Sequence, residues 1–137
     1  MNNHPMKAFT LIEMMVAVLI MSIVAVVSIA MYLSKIYATR RTDAINTLLS
    51  ISLAEERYRN SNTQYGTLAQ VWAGVTTSTN GYYTLSISNL SATSYTLTAT
   101  AIGSQAQDAE SGTSCTPMQL AVSNGTTTQT PAACWPK

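Results

Sequence analysis

The chain has 137 residues, of which 47% are hydrophobic and only 9% are charged, and its formal net charge is +1. Between Asn60 and Lys137 the only basic residue is Lys137 itself. Because phosphate contacts dominate nucleic-acid affinity, this distribution argues against strong, direct nucleic-acid binding by the C-terminal part. The one histidine, His4, lies near the N-terminus, so few residues are available for acid-base catalysis.

An uncharged apolar segment begins close to the N-terminus. No residue from Met14 to Ser34 is charged, and a helix of that length spans about 32 Å, enough to cross the hydrocarbon core of a bilayer. Glu13 stands at the start of this segment, where an ionised group is costly. On physical grounds such a residue is retained when it has a charge partner or a protein-lined environment, so Glu13 is a candidate functional residue.

The helical pattern continues beyond the apolar segment, and it predicts one helix from about Phe9 to Arg59 with no proline inside it. Its second half is amphipathic. The spacing predicts a stripe that lies against a sheet, formed by Ile45, Leu48, Leu49 and Leu53, with Arg40, Asp43, Thr47 and Ser50 largely on the opposite side. The polar stretch through Gly81 is then predicted to be a connecting loop that holds Tyr65 and Trp72.

After Gly81 the hydrophobic period changes to two, which indicates strands. One strand is predicted around Tyr83–Ile87, a second over Ser94–Ala101 and a third around Met118–Val122. Asn124-Gly125 is a strong two-residue hairpin signal that leads into Thr126–Thr130. The sequence therefore predicts an α+β fold in which a long N-terminal helix packs on a small antiparallel sheet of about four strands.

The C-terminal part is small, and its few large apolar residues predict a thin core. A bridge between Cys115 and Cys134 would close a ring worth about 3 kcal/mol, and we predict this disulfide, with two free thiols as the alternative. Trp72 and Trp135 are candidate surface anchors or core residues, and for Trp72 we expect the core.

The acidic residues do not form a predicted catalytic or metal site. Glu55 and Glu56 are adjacent on the helix and point about 100° apart, so we expect a solvated pair and no catalytic dyad. Asp108 and Glu110 could join a calcium site, but two carboxylates in a Ser/Gly-rich loop are usually solvated. No catalytic residue, cofactor site or metal site is predicted, and we do not expect an enzyme.

The N-terminal residues carry a family resemblance. A short basic leader followed by Ala8, Phe9-Thr10-Leu11-Ile12-Glu13 and an apolar stretch resembles a type IV prepilin. The resemblance implies cleavage by a prepilin peptidase between Ala8 and Phe9 and N-methylation of Phe9. It also implies that Glu13 neutralises the N-terminal amine of a neighbouring subunit during assembly. Ala8 replaces the glycine that the family usually has before the cut, and Ser22 and Ala30 replace its helix-breaking glycine and proline.

The resemblance implies four segments: a leader peptide (1–8), a transmembrane and filament-core half-helix (9–34), an amphipathic half-helix (35–60) and a globular head with a disulfide-bounded loop (61–137). It implies a precursor that spans the inner membrane once, contacts lipid there and has its head in the periplasm. An inner-membrane assembly platform and other pilin subunits are then its partners in an extracellular filament. Cys134-Trp135 resembles the ending of one class of minor pilins, which favours a low-abundance subunit and makes the Cys115–Cys134 loop the subunit-contacting region.

Several alternatives remain at this point. A secretory signal peptide has an apolar core of about 7–15 residues, shorter than this one, and a plain membrane anchor has no use for Glu13. Within the family, the chain could be a major pilin or a type II secretion pseudopilin, and the predicted disulfide favours a pilin over the major pseudopilin. An alternative of another class is a membrane-anchored adhesin or a DNA-uptake binding module.

Overall fold

The computed structural model describes residues 9–136 of the chain. The predicted leader, with Ala8 and His4, lies outside the described residues. The chain divides into two compact units, one ending at Lys35 and the other starting at Ile36.

The first unit is the apolar part of helix α1, which runs from Leu11 to Arg59 without interruption. The side chains described between Leu11 and Ser34 are exposed, and the segment is long and apolar enough to cross a membrane. Ser22 and Ser28 do not leave their hydroxyls unpaired there, since each donates to the carbonyl oxygen four residues earlier at 2.8 Å. The predicted helix is confirmed, with its start at Leu11 because Thr10 caps it.

The second unit contains a four-stranded antiparallel sheet. Its strands are β1 (Tyr83–Ser88), β2 (Ser94–Ala101), β5 (Met118–Ser123) and β6 (Thr126–Thr130), and they lie side by side in that order. Buried and solvent-facing residues alternate along β1, β2 and β5, as expected for a sheet with one covered face. The predicted strands and the predicted α+β fold are confirmed.

Shorter elements complete the head. Helix α2 (Leu68–Val71) lies in the stretch predicted to be a loop, and β3 (Ala109–Glu110) pairs with β4 (Thr113–Ser114). Turns of 3-10 helix cover Gly103–Gln107 and Ala132–Cys134. Helix α2 was not predicted, although Thr67-Leu68-Ala69-Gln70 carries a capping-box signal for it: the Gln70 side chain accepts the Thr67 backbone N–H at 2.8 Å.

The face of α1 that packs in the core differs from the predicted stripe. Ile45 and Leu48 are buried as expected, but Leu49 and Leu53 are 45% and 54% exposed, and Ile51 is fully buried in their place. The buried face follows the three- and four-residue spacing of Arg41, Ala44, Leu48, Ile51 and Glu55. The prediction was wrong because charged residues occupy both ends of the buried face.

Two polar residues predicted for the solvent side are buried as well. Asp43 is 7% exposed, and its carboxylate accepts the backbone N–H of Asn80 at 3.2 and 3.3 Å. Thr47 is 4% exposed and donates its hydroxyl hydrogen to the Asp43 carbonyl oxygen at 2.7 Å. Each polar group is therefore satisfied where it is buried, which removes most of the cost of burial.

Candidate functional site

Glu13 lies in the first turn of α1, where it takes part in a local hydrogen-bond pair. The Thr10 hydroxyl oxygen accepts the Glu13 backbone N–H at 3.3 Å, and Glu13 Oε2 accepts the Thr10 backbone N–H at 3.5 Å. This reciprocal pair is a capping box, in which the third helical residue returns its side chain to the residue before the helix. The sequence pattern Thr10-x-x-Glu13 is typical of this capping box, which was not predicted.

The capping box gives Glu13 a local role in addition to the predicted role in assembly. A carboxylate in the first turn is also favoured by the helix dipole, by about 0.3–1 kcal/mol. Glu13 is exposed, and its 3.5 Å contact is at the long end of hydrogen-bond distances. The carboxylate therefore keeps capacity to accept a further donor. Phe9, the predicted mature terminus, is 77% exposed.

A buried ion pair joins α1 to the segment before β3. The Arg41 guanidinium donates to both carboxylate oxygens of Asp108 at 2.7 Å, and the two side chains are 8% and 1% exposed. A third contact, at 3.2 Å, reaches Glu110, whose side chain is 46% exposed. The hydrogen bond to Asp108 raises the pKa of Arg41, although burial acts in the opposite direction. Asp108 and Glu110 thus pair with an arginine, and the expectation that they are solvated was wrong for Asp108.

Gln105 extends this network towards the sheet. Its Nε2 donates to the Tyr37 carbonyl oxygen at 3.0 Å and to the Tyr83 hydroxyl at 2.9 Å. Asp108 also accepts the Cys115 backbone N–H, through its carbonyl oxygen, at 2.9 Å. The network therefore holds the start of the disulfide-bounded loop against the helix.

Glu55 lies at the other end of the buried face, where it is fully buried. Its Oε2 accepts the Gly66 backbone N–H at 2.8 Å, while its Oε1 has no hydrogen-bond partner among residues 9–136. Burial raises the pKa of Glu55, and the neighbouring Glu56 adds to the rise, whereas the Gly66 hydrogen bond lowers it. Glu56 is exposed and accepts the Tyr65 hydroxyl at 3.0 Å. The two glutamates are therefore not a solvated pair, and that expectation was wrong for Glu55.

The predicted disulfide between Cys115 and Cys134 is present, with an S–S distance of 2.06 Å. It encloses β5 and β6. Trp135, immediately after the disulfide, is 5% exposed and donates its ring N–H to the Thr130 carbonyl oxygen at 3.3 Å. Trp72 is partly buried against the core, in agreement with the expectation. Both tryptophans therefore contribute to the stability of the head.

Most basic side chains of the second unit are engaged within the head. The Arg40 guanidinium lies 4.7 Å from the centre of the Tyr82 ring, a cation–π contact. Arg59 donates to the carbonyl oxygens of Ala92 at 2.8 Å and Asn62 at 2.6 Å. Arg41 is buried. Arg57 is exposed, and it lies near the end of α1.

Side chains suited to metal binding do not gather in the part of the chain that the structure describes. No three residues of the types His, Cys, Asp and Glu come together among residues 9–136. The first unit offers an apolar helix with an acid in its first turn. In the second unit, buried polar contacts hold the later part of α1 against the head, and one disulfide closes the C-terminal loop.

Two family models match the sequence. Residues 4–29 match the prokaryotic N-terminal methylation motif. Residues 30–119, well over half of the chain, match the family described as type IV minor pilin ComP, DNA uptake sequence receptor. No curated protein matches the sequence.

Proposed function

Because the chain belongs to the family of the type IV minor pilin ComP, we propose that it works as a minor structural subunit of a type IV pilus. In this proposal a prepilin peptidase cuts the inner-membrane precursor between Ala8 and Phe9, and Phe9 is N-methylated. The assembly platform then transfers the apolar helix from lipid into the filament. One observation carries the proposal: Glu13 stands before an uncharged run within a segment that matches the methylation motif.

The physical role of Glu13 is to accept a charge partner when the helix leaves the membrane. The partner that the resemblance supplies is the N-terminal amine of a neighbouring subunit. At 4 Å such an ion pair is worth about 1 kcal/mol in water and about 4 kcal/mol at an effective dielectric constant near 20. The pairing therefore gains strength as the helix enters a dry filament core, and it sets the axial register of the incoming subunit.

Three variants separate this role from helix capping. Glu13→Leu removes both the charge and the capping box, Glu13→Gln removes the charge but keeps a side chain that fits a capping box, and Thr10→Val removes the capping hydroxyl but keeps the charge. We expect all three to be inserted and cleaved, since the two Glu13 variants favour the lipid-inserted state by about 2–3 kcal/mol and Thr10→Val adds no charge or polar group. Filament incorporation is then measured in sheared filaments.

If the charge guides assembly, Glu13→Leu lowers incorporation by about fivefold or more, the population ratio for roughly 1 kcal/mol. Glu13→Gln lowers it less, and Thr10→Val stays near the parental level. If capping is the role of Glu13, Glu13→Gln stays at the parental level and Thr10→Val falls. Parental incorporation of Glu13→Leu would support the anchor alternative.

The proportion of the chain in filaments separates the remaining alternatives. A major pilin would dominate the filament, a minor pilin would form a small share, and a membrane-anchored adhesin would be missing from it. A pseudopilin would depend on a type II secretion platform. Catalysis has no support in the head, because its three buried acids are engaged: Asp108 pairs with Arg41, Glu55 accepts the Gly66 backbone N–H, and Asp43 accepts from Asn80.

DNA reception is a second candidate function, which the description of the matching family favours. The charge distribution of this chain argues against a strong phosphate-binding surface, since Arg41 is buried and the segment after Asn60 has one basic residue, Lys137. Binding of the purified full chain to duplex DNA, measured over a range of salt concentrations, tests this candidate. Tight binding with a steep salt dependence would establish it, and the expected result is weak binding.

A further inference from the structure

Two Asn-Gly pairs occur in the head, Asn80-Gly81 and Asn124-Gly125. In such a pair the glycine has no Cβ to shield its backbone nitrogen from the preceding side-chain amide. That nitrogen can attack the asparagine Cγ when neither group is held elsewhere. The two pairs share this chemistry but differ in their contacts.

Asn124 and Gly125 form the tip of the β5–β6 hairpin. Both residues are exposed and have positive φ, 49° and 77°, as a two-residue type I′ turn requires. Among residues 9–136 neither the Asn124 side-chain amide nor the Gly125 N–H has a hydrogen-bond partner. One hydrogen bond from outside β5 and β6 restrains this turn: the Asn124 backbone N–H donates to the Thr93 carbonyl oxygen at 2.9 Å. Both reacting groups are therefore free.

Asn80 is held in place although it is also exposed. Its Nδ2 donates to Asp43 Oδ1 at 3.2 Å, and its backbone N–H donates to the same carboxylate. The Gly81 N–H, which would be the nucleophile, donates to the Ser78 carbonyl oxygen at 2.9 Å. Reaction at this pair would have to break hydrogen bonds on both sides of the new bond.

We propose that Asn124 is a site of spontaneous deamidation, whereas Asn80 is protected by Asp43 and Ser78. The Gly125 nitrogen forms a bond to Asn124 Cγ, and the Cγ–Nδ2 bond breaks. Nδ2 leaves as ammonia with the hydrogen from the Gly125 nitrogen, which gives a cyclic imide. Water then opens either carbonyl of the imide and returns a hydrogen to Gly125. The products are aspartate or isoaspartate at position 124, and no redox step is involved.

The modification changes the hairpin in two ways. Either product places a carboxylate at a turn that carries no charge in the unmodified chain. Isoaspartate also inserts a methylene group into the backbone, which a two-residue type I′ turn does not accommodate. The pairing of Ser123 with Thr126, next to the turn, is then the first to loosen.

Peptide mass spectrometry on the full chain in detergent tests the proposal. The folded chain and a urea-denatured sample are incubated at mildly alkaline pH, then reduced and cut after glutamate under acidic conditions, where imide formation is slow. Cleavage after Glu56 and Glu110 puts Asn80 and Asn124 on separate peptides. Asn124→Gln is the matched control, because a glutamine side chain forms the larger imide ring much more slowly.

In the folded chain we expect Asn124 to convert at least about tenfold faster than Asn80, the rate ratio that one or two neutral hydrogen bonds represent. In urea the two sites should convert at similar rates, and the mass gain on the 111–137 peptide should be lost in Asn124→Gln. Similar rates in the folded chain, or faster conversion of Asn80, would overturn the proposal. The proposal would also be overturned if Asn124 stays unmodified in the folded chain for a time that is long enough to convert Asn124 in the denatured sample.

Discussion

The buried ion pair between Arg41 and Asp108 predicts a large loss of stability when only one partner is removed. Arg41→Met keeps the apolar stem of the side chain but removes the guanidinium, which leaves the Asp108 carboxylate 1% exposed and without its cation. Breaking a buried pair in this way typically costs about 3–5 kcal/mol. We expect Arg41→Met to lower the free energy of unfolding of the head by that amount.

Two further variants show whether burial of the charge is the cause. Glu110→Gln removes the charge from the outer contact to Arg41, but the Glu110 side chain is 46% exposed, so the expected cost is about 0–1 kcal/mol. The double variant Arg41→Met/Asp108→Asn should be more stable than Arg41→Met alone. A buried amide costs less than a buried, unpaired carboxylate, and the amide oxygen introduced at position 108 still offers an acceptor to Gln105.

Urea unfolding of the full chain in detergent, followed by tryptophan fluorescence, measures these differences, because both tryptophans lie in the head. A cost below about 1 kcal/mol for Arg41→Met, the range of an exposed pair, would contradict the expected effect of burial. A double variant no more stable than the single one would show that the unpaired carboxylate is not the cause of the loss.

Two more predictions concern the buried face of α1. Burial raises the pKa of Glu55 above its ordinary value of 4.5. The stability that the protonated form contributes is therefore complete below pH 4.5 and is lost as pH rises through the raised pKa. In urea unfolding at several pH values, the free energy of unfolding should fall less with rising pH for Glu55→Gln than for the parental chain, and an equal fall would contradict this prediction. Leu48→Ala should lower the free energy of unfolding by about 2–5 kcal/mol, because Leu48 is buried. Leu49 is half-exposed, so Leu49→Ala should lower it by under about 1 kcal/mol. Equal losses would support the buried stripe first predicted from the sequence.

Local signals in the sequence were sufficient for most of the fold. The period-two segments predicted β1, β2 and β5, and the Asn124-Gly125 hairpin signal predicted β6. The pairing of β2 with β5 joins strands that are distant along the chain. It was not predicted because period and propensity describe single strands and do not choose their neighbours.

The buried polar residues were the part that the sequence analysis could not find. Hydrophobic periodicity assigns charged residues to the solvent side, yet Arg41 and Glu55 both lie on the buried face of α1. Their partners explain this: Asp108 lies 67 residues from Arg41, and the Gly66 backbone lies 11 residues from Glu55. A single sequence shows the cost of burying such groups but not the distant partner that offsets it.

Glu13 shows the opposite case, in which a local signal was present. The motif Thr10-x-x-Glu13 predicts a capping box, and the structure contains one. The family resemblance predicted only an intermolecular role for Glu13. The capping role is compatible with the proposed role in assembly, because a charged amine would be a stronger donor to Glu13 than the Thr10 backbone N–H.

Peptide mass spectrometry of sheared and washed filaments tests the central claim most directly, because it identifies the subunit and its terminus together. We expect peptides of this chain that begin at N-methylated Phe9, in an amount well below that of the main filament subunit. Filaments that lack the chain, or chain that retains Met1 or has been cut near Ala30, would contradict the claim that it is a processed pilus subunit.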